Sequence, residues 1–244
     1  MKFLIQKIEG EIKHDFSFTL LESIRYQNWL HNDKNYIKFK IIEYLGDYCF
    51  KKYMQDYIPI GSVEFVSAFT QYFYEKTPKP INVPEELFHS THRNIMNGTE
   101  QDIKTLKGKW FIKSNDKIKE FSEIIDVDEN TIIPKGNYQM SQYLDIQSEW
   151  RAFIYKGKLV GLQNYSGDFT KFPNVAVIKG MIVKYKNAPI AYTLDVGVTD
   201  FSTFVIECHL MMSVGLYGFS DHTILPNMFQ RCFNEFIKNE QRIN

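Results

Sequence analysis

Pro78, Pro80 and Pro84 fall within seven residues of one another, and no regular helix or strand runs through such a segment. Each ring fixes φ, removes a backbone donor and pushes the preceding residue out of the helical region. The segment is therefore the natural boundary in the chain. Before it, Leu20 to Leu30 and Tyr36 to Tyr53 show helical spacing, with Ile37, Ile41, Tyr44, Leu45 and Tyr48 on one stripe expected to face a core. A strand-like run follows at Tyr57 to Pro59, then a helix from Ser62 to Phe73 with Ser62 as its cap. Phe65 occupies the third helical position, so no capping box forms there.

Beyond the prolines the composition changes to short β-prone runs between polar turns. Strands are expected at Lys109 to Lys113, Tyr138 to Leu144, Glu149 to Tyr155 and Leu159 to Tyr165, the last two joined as a hairpin through Lys156-Gly157-Lys158. Val175 to Tyr185, Ala188 to Val196 and Thr203 to His209 read as further strands. Thr223 to Lys238 reads as a helix that buries Leu225, Met228, Phe229, Cys232, Phe233 and Phe236.

The bulk properties narrow the classes. A length of 244 residues with 44% hydrophobic and 16% aromatic content suffices for one large domain or two lobes sharing a cleft. Lys plus Arg and Asp plus Glu both total 29, which argues against a whole-chain electrostatic nucleic-acid binder. Cys49, Cys208 and Cys232 are odd in number and in no metal-finger spacing, so reduced thiols in a cytoplasmic protein are expected. The apolar start of the chain is too short for a signal peptide, and no segment approaches the ~20 apolar residues of a membrane span.

Chemistry concentrates at strand ends. In Thr203-Phe204-Val205-Ile206-Glu207-Cys208-His209, alternation sends Glu207 and His209 to one face while Phe204, Ile206 and Cys208 point to the core. The pair is either an ordinary polar strand end or the edge of a metal site. Lys113 ends an apolar strand and precedes a loop with Lys117 and Lys119; it is a phosphate ligand or part of a solvated basic turn. Glu149 and Arg151 share a face of their strand, where the arginine fork suits phosphate or carboxylate oxygens, or forms a surface ion pair. Asp195 closes another apolar strand. Magnesium takes hard oxygen ligands such as Asp195 and Glu207, and His209 is a softer partner that also suits manganese. Cationic groups for phosphates and acidic groups for a metal, all on strands, point to an ATP·metal site. Neither a P-loop nor a Rossmann fingerprint is present.

In this order the motifs resemble the ATP-grasp superfamily, most closely a divergent bacterial and phage clade marked by one arginine and two lysines. The matching text is Phe111-Ile112-Lys113-Ser114 with Lys117 and Lys119, Ser148-Glu149-Trp150-Arg151-Ala152-Phe153-Ile154, Leu194-Asp195-Val196-Gly197, Val205-Ile206-Glu207-Cys208-His209 and Gly215-Leu216-Tyr217-Gly218. Pro59 to Val66 and His92-Arg93-Asn94 are similar to the family upstream. The resemblance spans roughly residues 57 to 238. It implies an α+β fold, with two α+β lobes enclosing a nucleotide cleft after a helical or mixed N-terminal region. That region covers 1–85 and the ATP-grasp region 86–244, with a small lobe at about 100–143 and a large lobe at about 144–244.

By the same resemblance, Lys113 contacts nucleotide phosphates, Arg93 replaces the first lysine, and Lys117 or Lys119 is the second. Gln142, Tyr143 and Leu144 form the hinge that reads adenine. Arg151 holds phosphate oxygens or an acyl phosphate, oriented by Glu149, and Asp195, Glu207 and His209 ligate Mg²⁺ or Mn²⁺. Three departures stand out: Glu207-Cys208-His209 replaces Glu-x-Asn, Ser114 stands where proline is common, and the loop after Lys113 lacks covering glycines.

The implied activity is an ATP-dependent ligase joining a carboxylate to an amine or related nucleophile, with release of ADP and phosphate. The acceptor is a small molecule, peptide or protein. Two other classes stay open: an ATP-binding assembly or regulatory factor without turnover, and a nucleic-acid-associated enzyme using Tyr26, Trp29, Tyr36 and Tyr44 among Lys34, Lys38 and Lys40. Neutral charge and helical spacing favour core roles for most of those aromatics.

Overall fold

A computed structural model describes residues 1–118, 120–128 and 131–238. The chain groups into two units, one of residues 1–78, 189–191 and 210–244, the other of residues 79–188 and 192–209. The division falls inside the proline cluster, at Pro78.

The first unit is built on a parallel sheet. Its central strand β1 (Lys2–Lys7) lies between β2 (Lys38–Glu43) and β3 (Ile58–Ile60). Phe3, Leu4 and Ile5 are fully buried, as a parallel strand covered on both faces requires. The helices are α1 (Asp15–Leu30), α2 (Val63–Tyr74) and the C-terminal helix 225–238. The Ser62 hydroxyl accepts from the Phe65 N–H at 3.2 Å and caps α2 as expected.

The helix expected at 36–53 is absent. Strand β2 occupies 38–43 and two short 3-10 turns occupy 47–49 and 52–56. Ile37 is buried, but Ile41, Leu45 and Tyr48 are exposed, so the helical stripe does not exist. A six-residue parallel ladder with β1 outweighs the spacing. The expected burial of the nearby aromatics also fails: Trp29, Tyr36 and Tyr26 are exposed.

The second unit holds two four-stranded sheets. One is antiparallel, in the order β4 (Ile95–Thr99), β7 (Asn137–Gln142), β5 (Gly108–Ser114), β6 (Ser122–Val127), with the short helix α3 (Glu100–Ile103) following β4. The other runs β11 (Thr203–Leu210), β10 (Ala191–Val198), β8 (Ser148–Tyr155), β9 (Lys158–Gly167). Strands β8 and β9 form the expected hairpin. Lys156 and Gly157 both take positive φ, 51° and 69°, as a two-residue turn matched to strand twist demands.

Residues 175–185, expected as a strand, form helix α4 (Val175–Lys184). The Asn174 side chain caps it, accepting from the Ala176 and Val177 N–H groups at 2.9 and 3.3 Å. Ile178, Met181 and Ile182 fall on one helical face and pack with Trp150, Tyr192 and Leu194. Helix propensity penalises β-branched residues by at most about 0.7 kcal/mol each, whereas burying each such side chain contributes about 1.5–3 kcal/mol. Packing therefore decides. The final helix, α5 (Leu225–Lys238), buries its expected face, with Phe236 half-exposed. Among the described residues no helix is long and apolar enough to cross a membrane.

Candidate functional site

Strand alternation in the second unit aims the chemistry. On β8, Trp150 and Ala152 join the core while Arg151, between them, turns to the other face. Neighbouring β10 brings Asp195, which is 1% exposed. Arg151 donates from Nε to Asp195 Oδ1 at 2.8 Å and from Nη2 to Oδ2 at 2.7 Å. This is a two-pronged, charge-assisted pair with fixed orientation.

Strand β11 brings Glu207 and His209 to one face, as alternation requires, with Cys208 between them fully buried. His209 Nε2 lies 3.4 Å from Glu207 Oε1 and 3.4 Å from Asp195 Oδ2. From the end of β5 in the other sheet, Lys113 donates its Nζ to Glu207 Oε2. The result is one alternating chain of charges: Lys113, Glu207, His209, Asp195, Arg151.

The electrostatics are mutual. Burial acts to raise the Glu207 carboxyl, but His209 and then Lys113 outweigh it and hold it well below the usual range. Burial likewise opposes ionisation of Asp195, and hydrogen bonds from Arg151 and His209 keep it ionised. Burial pulls the His209 imidazolium down, yet Glu207 and Asp195 raise it to about 9. At neutral pH the network therefore carries three cations and two carboxylates.

Arg93 reaches the same neighbourhood. Its Nη2 donates to the Ile206 carbonyl at 3.4 Å, and its guanidinium lies 6.0 Å from the Phe204 ring centre. Burial lowers its pKa, while Glu207 and Glu149 oppose the shift. Its Nε is buried without a hydrogen-bond partner among the described residues.

Glu149 hydrogen-bonds Tyr165 on β9, whose ring lies 5.6 Å from the Arg151 guanidinium. Burial, reinforced by Asp195 and Glu149, pushes the Tyr165 hydroxyl up, so it stays a neutral donor. Tyr165 is a site residue that sequence reasoning missed. Alternation gave no signal for it: Tyr165 falls at a register shift between the Trp150–Asn164 and Glu149–Ser166 pairs.

The remaining expected residues are not in the charge network. Gln142 ends β7, with its N–H on the Asn94 carbonyl at 2.8 Å and its side chain accepting from Asn94 Nδ2 at 3.2 Å. The Tyr143 N–H donates to the Lys109 carbonyl at 3.0 Å, and Leu144 is half-buried. These three begin the crossing from one sheet to the other. Lys117 is solvent-exposed and pairs with Glu120 at 3.3 Å. Lys119 lies outside the described residues.

One carboxylate oxygen each from Asp195 and Glu207 and one nitrogen of His209 lie within 4.8 Å of one another, a donor set that fits a divalent cation. Both carboxylates already carry an organic cation, and His209, protonated at neutral pH, ligates a metal on releasing its proton. Each carboxylate has lone pairs enough for both partners.

A family model described as ATP-grasp domain, R2K clade family 2, matches residues 90–226. Among solved structures, D-alanine–D-alanine ligase from Bacillus anthracis is similar with a TM-score of 0.56 and 11% identity, over 98% of this chain and 99% of that one. N5-carboxyaminoimidazole synthetase from Staphylococcus aureus complexed with ADP gives 0.55 and 11%, over 98% and 78%. A RimK domain protein ATP-grasp from Sphaerobacter thermophilus gives 0.53 and 10%, over 97% and 100%. At such identities the likeness is one of fold. No curated protein matches the chain.

Proposed function

Because the chain belongs to the ATP-grasp domain family, R2K clade family 2, we propose that it is an ATP-dependent ligase joining a carboxylate to an amine or related nucleophile. The observation that carries this reading is the convergence of Lys113, Arg151, Asp195, Glu207 and His209 from two sheets into one network. Phosphoryl transfer needs positioning and charge neutralisation more than a nucleophilic side chain. Such a network supplies both.

In this reading the substrate carboxylate attacks the γ-phosphorus of ATP. The bond to the bridging oxygen breaks, leaving ADP and an acyl phosphate, and the nucleophile then displaces phosphate from the acyl carbon. Lys113 moves from Glu207 to a phosphate oxygen, and the fork of Arg151 holds the oxygens of the group in transfer. Arg93, with its unpaired Nε, adds a third cation. Asp195, Glu207 and His209 would hold a magnesium or manganese ion, which would neutralise phosphate charge when bound. Tyr165, kept neutral, donates a hydrogen bond without adding charge. Gln142, Tyr143 and Leu144 are read as the adenine-facing hinge between a small lobe at about 100–143 and a large lobe from about 144, with 1–85 as the preceding region.

The test is amine-dependent ADP release across a panel of carboxylates, with the unmodified chain beside Lys113→Ala and Glu207→Ala. Loss of a charge-stabilising group of this kind lowers turnover by about 10²–10³. Activity unchanged in both variants would sink the reading. Stable ATP binding without turnover points instead to an assembly or regulatory factor. One observation favours a nucleic-acid acceptor: Trp29 and Tyr36 are exposed near Lys38 and Lys40 in the sequence, a composition suited to base stacking. Salt-sensitive binding of single-stranded RNA, lost in Trp29→Ala, distinguishes that version.

A further inference from the structure

The proline-rich segment carries a residue bonded to the chain neighbours of both Lys113 and Glu207. Asn82 is buried and holds a left-handed φ of 54°, a conformation Asn tolerates far better than most residues. Its carbonyl accepts from the Cys208 N–H at 2.6 Å, and Cys208 lies between Glu207 and His209. Its side-chain Nδ2 donates to the Ser114 carbonyl at 3.1 Å and to Asn115 Oδ1 at 2.6 Å, and Ser114 directly follows Lys113. The next residue is clamped as well. The Val83 N–H donates to Gln139 Oε1 at 2.8 Å, and Gln139 Nε2 donates back to the Val83 carbonyl at 2.9 Å. Gln139 is buried on β7 and is the cross-strand partner of Lys113 itself. The Val83 side chain packs into the same core as Cys208.

We propose that Asn82, clamped through Gln139, is a positioning residue. It ties the metal-side strand β11 to the end of the lysine strand β5 and so sets Lys113 against Glu207. This rests on the reading of that network as a nucleotide and metal site. Among the described residues the two sheets share no backbone ladder, so the spacing between a lysine on one and a carboxylate on the other needs a separate tie. Buried hydrogen bonds of this kind are costly to leave unmade. The proline rings on either side limit how far the segment can deform.

The test is a double-mutant cycle on the full chain. Asn82→Gly keeps the left-handed backbone and deletes the side-chain donors, and Lys113→Ala deletes the group being positioned. Binding of ATP with Mn²⁺ is read by calorimetry, Mn²⁺ alone by paramagnetic resonance, and folding by circular dichroism and melting temperature. Asn82→Gly is expected to weaken ATP·Mn²⁺ binding by about tenfold, the scale of coupling within one hydrogen-bond network. Lys113→Ala should then cost much less in the Asn82→Gly background than alone. A folded Asn82→Gly chain that binds like the unmodified one, or strictly additive losses, overturns the positioning role and leaves the site reading intact. If the unmodified chain binds no nucleotide, the site reading falls and the positioning role falls with it. Should Asn82→Gly not fold, Asn115→Ala removes the 2.6 Å partner without touching the left-handed residue, and the same two outcomes apply to it.

Discussion

The two sheets of the second unit hold their ion pairs under different conditions. In the sheet β11-β10-β8-β9, Asp195 lies on a strand buried along its whole length and keeps 1% of its side chain exposed, with 7% for Arg151. In the sheet β4-β7-β5-β6, Lys113 projects from a strand whose neighbour β6 is mostly exposed, and the Lys113–Glu207 pair keeps 15% and 16%. The first pair is bidentate and desolvated. The second is a single contact that water reaches at its margin. Releasing Arg151 leaves the buried Asp195 carboxylate with the longer 3.4 Å contact to His209, whereas Lys113 can leave Glu207 and be replaced by solvent. The sheet β11-β10-β8-β9 thus holds the more fixed ion pair and the lysine strand the more exchangeable one.

The contrast breaks if the two pairs prove equivalent. Asp195→Ala strands a buried guanidinium and should cost about 3–5 kcal/mol in urea unfolding. Lys113→Ala should cost less, about 1.5–3 kcal/mol for a hydrogen bond to a charged group, while still removing nucleotide binding. Equal losses would erase the distinction.

His209 sharpens it through pH. Its folded-state value, about 9, is raised above its ordinary 6.5. The stabilisation it brings is therefore fully present below about 6.5 and is lost as pH rises through about 9. Melting temperature measured without metal should fall across that window, and His209→Gln should flatten the curve. A profile that Gln leaves unchanged would place the titration elsewhere. The smallest effect belongs to Lys117→Ala. Its exposed pair with Glu120 contributes less than about 1 kcal/mol, and ATP affinity should not change. A tenfold loss of affinity would return Lys117 to the site.

Much of this is legible in the amino-acid sequence. Strands β5, β7, β8, β9 and β11 and helices α2 and α5 follow from alternation, turn chemistry and capping, and these elements carry Lys113, Arg151, Glu207 and His209. The misreadings share a cause. In 175–185 and 36–53 the local pattern was ambiguous, and contacts from distant residues resolved it: the core beneath α4 in one case, the ladder to β1 in the other. Tyr165 is hidden because a tyrosine in a β-hairpin is ordinary until an irregularity in the register brings its ring to 5.6 Å from the Arg151 guanidinium. Asn82 was hidden for the opposite reason. A proline-rich stretch announces irregular backbone, not where that backbone is tied.

Alone, the amino-acid order determined which side chains share a face. Glu207 and His209 two residues apart on a strand, with Cys208 turned away, needed only the pleat of an extended backbone. Tertiary structure decided the partners. Lys113 meets Glu207 across 94 residues of chain, and Arg151 meets Asp195 across 44. Alternation is a property of each residue's own dihedral angles. Pairing depends on sheet order, register and the ties between sheets, which arise only when distant strands hydrogen-bond and bury a common core.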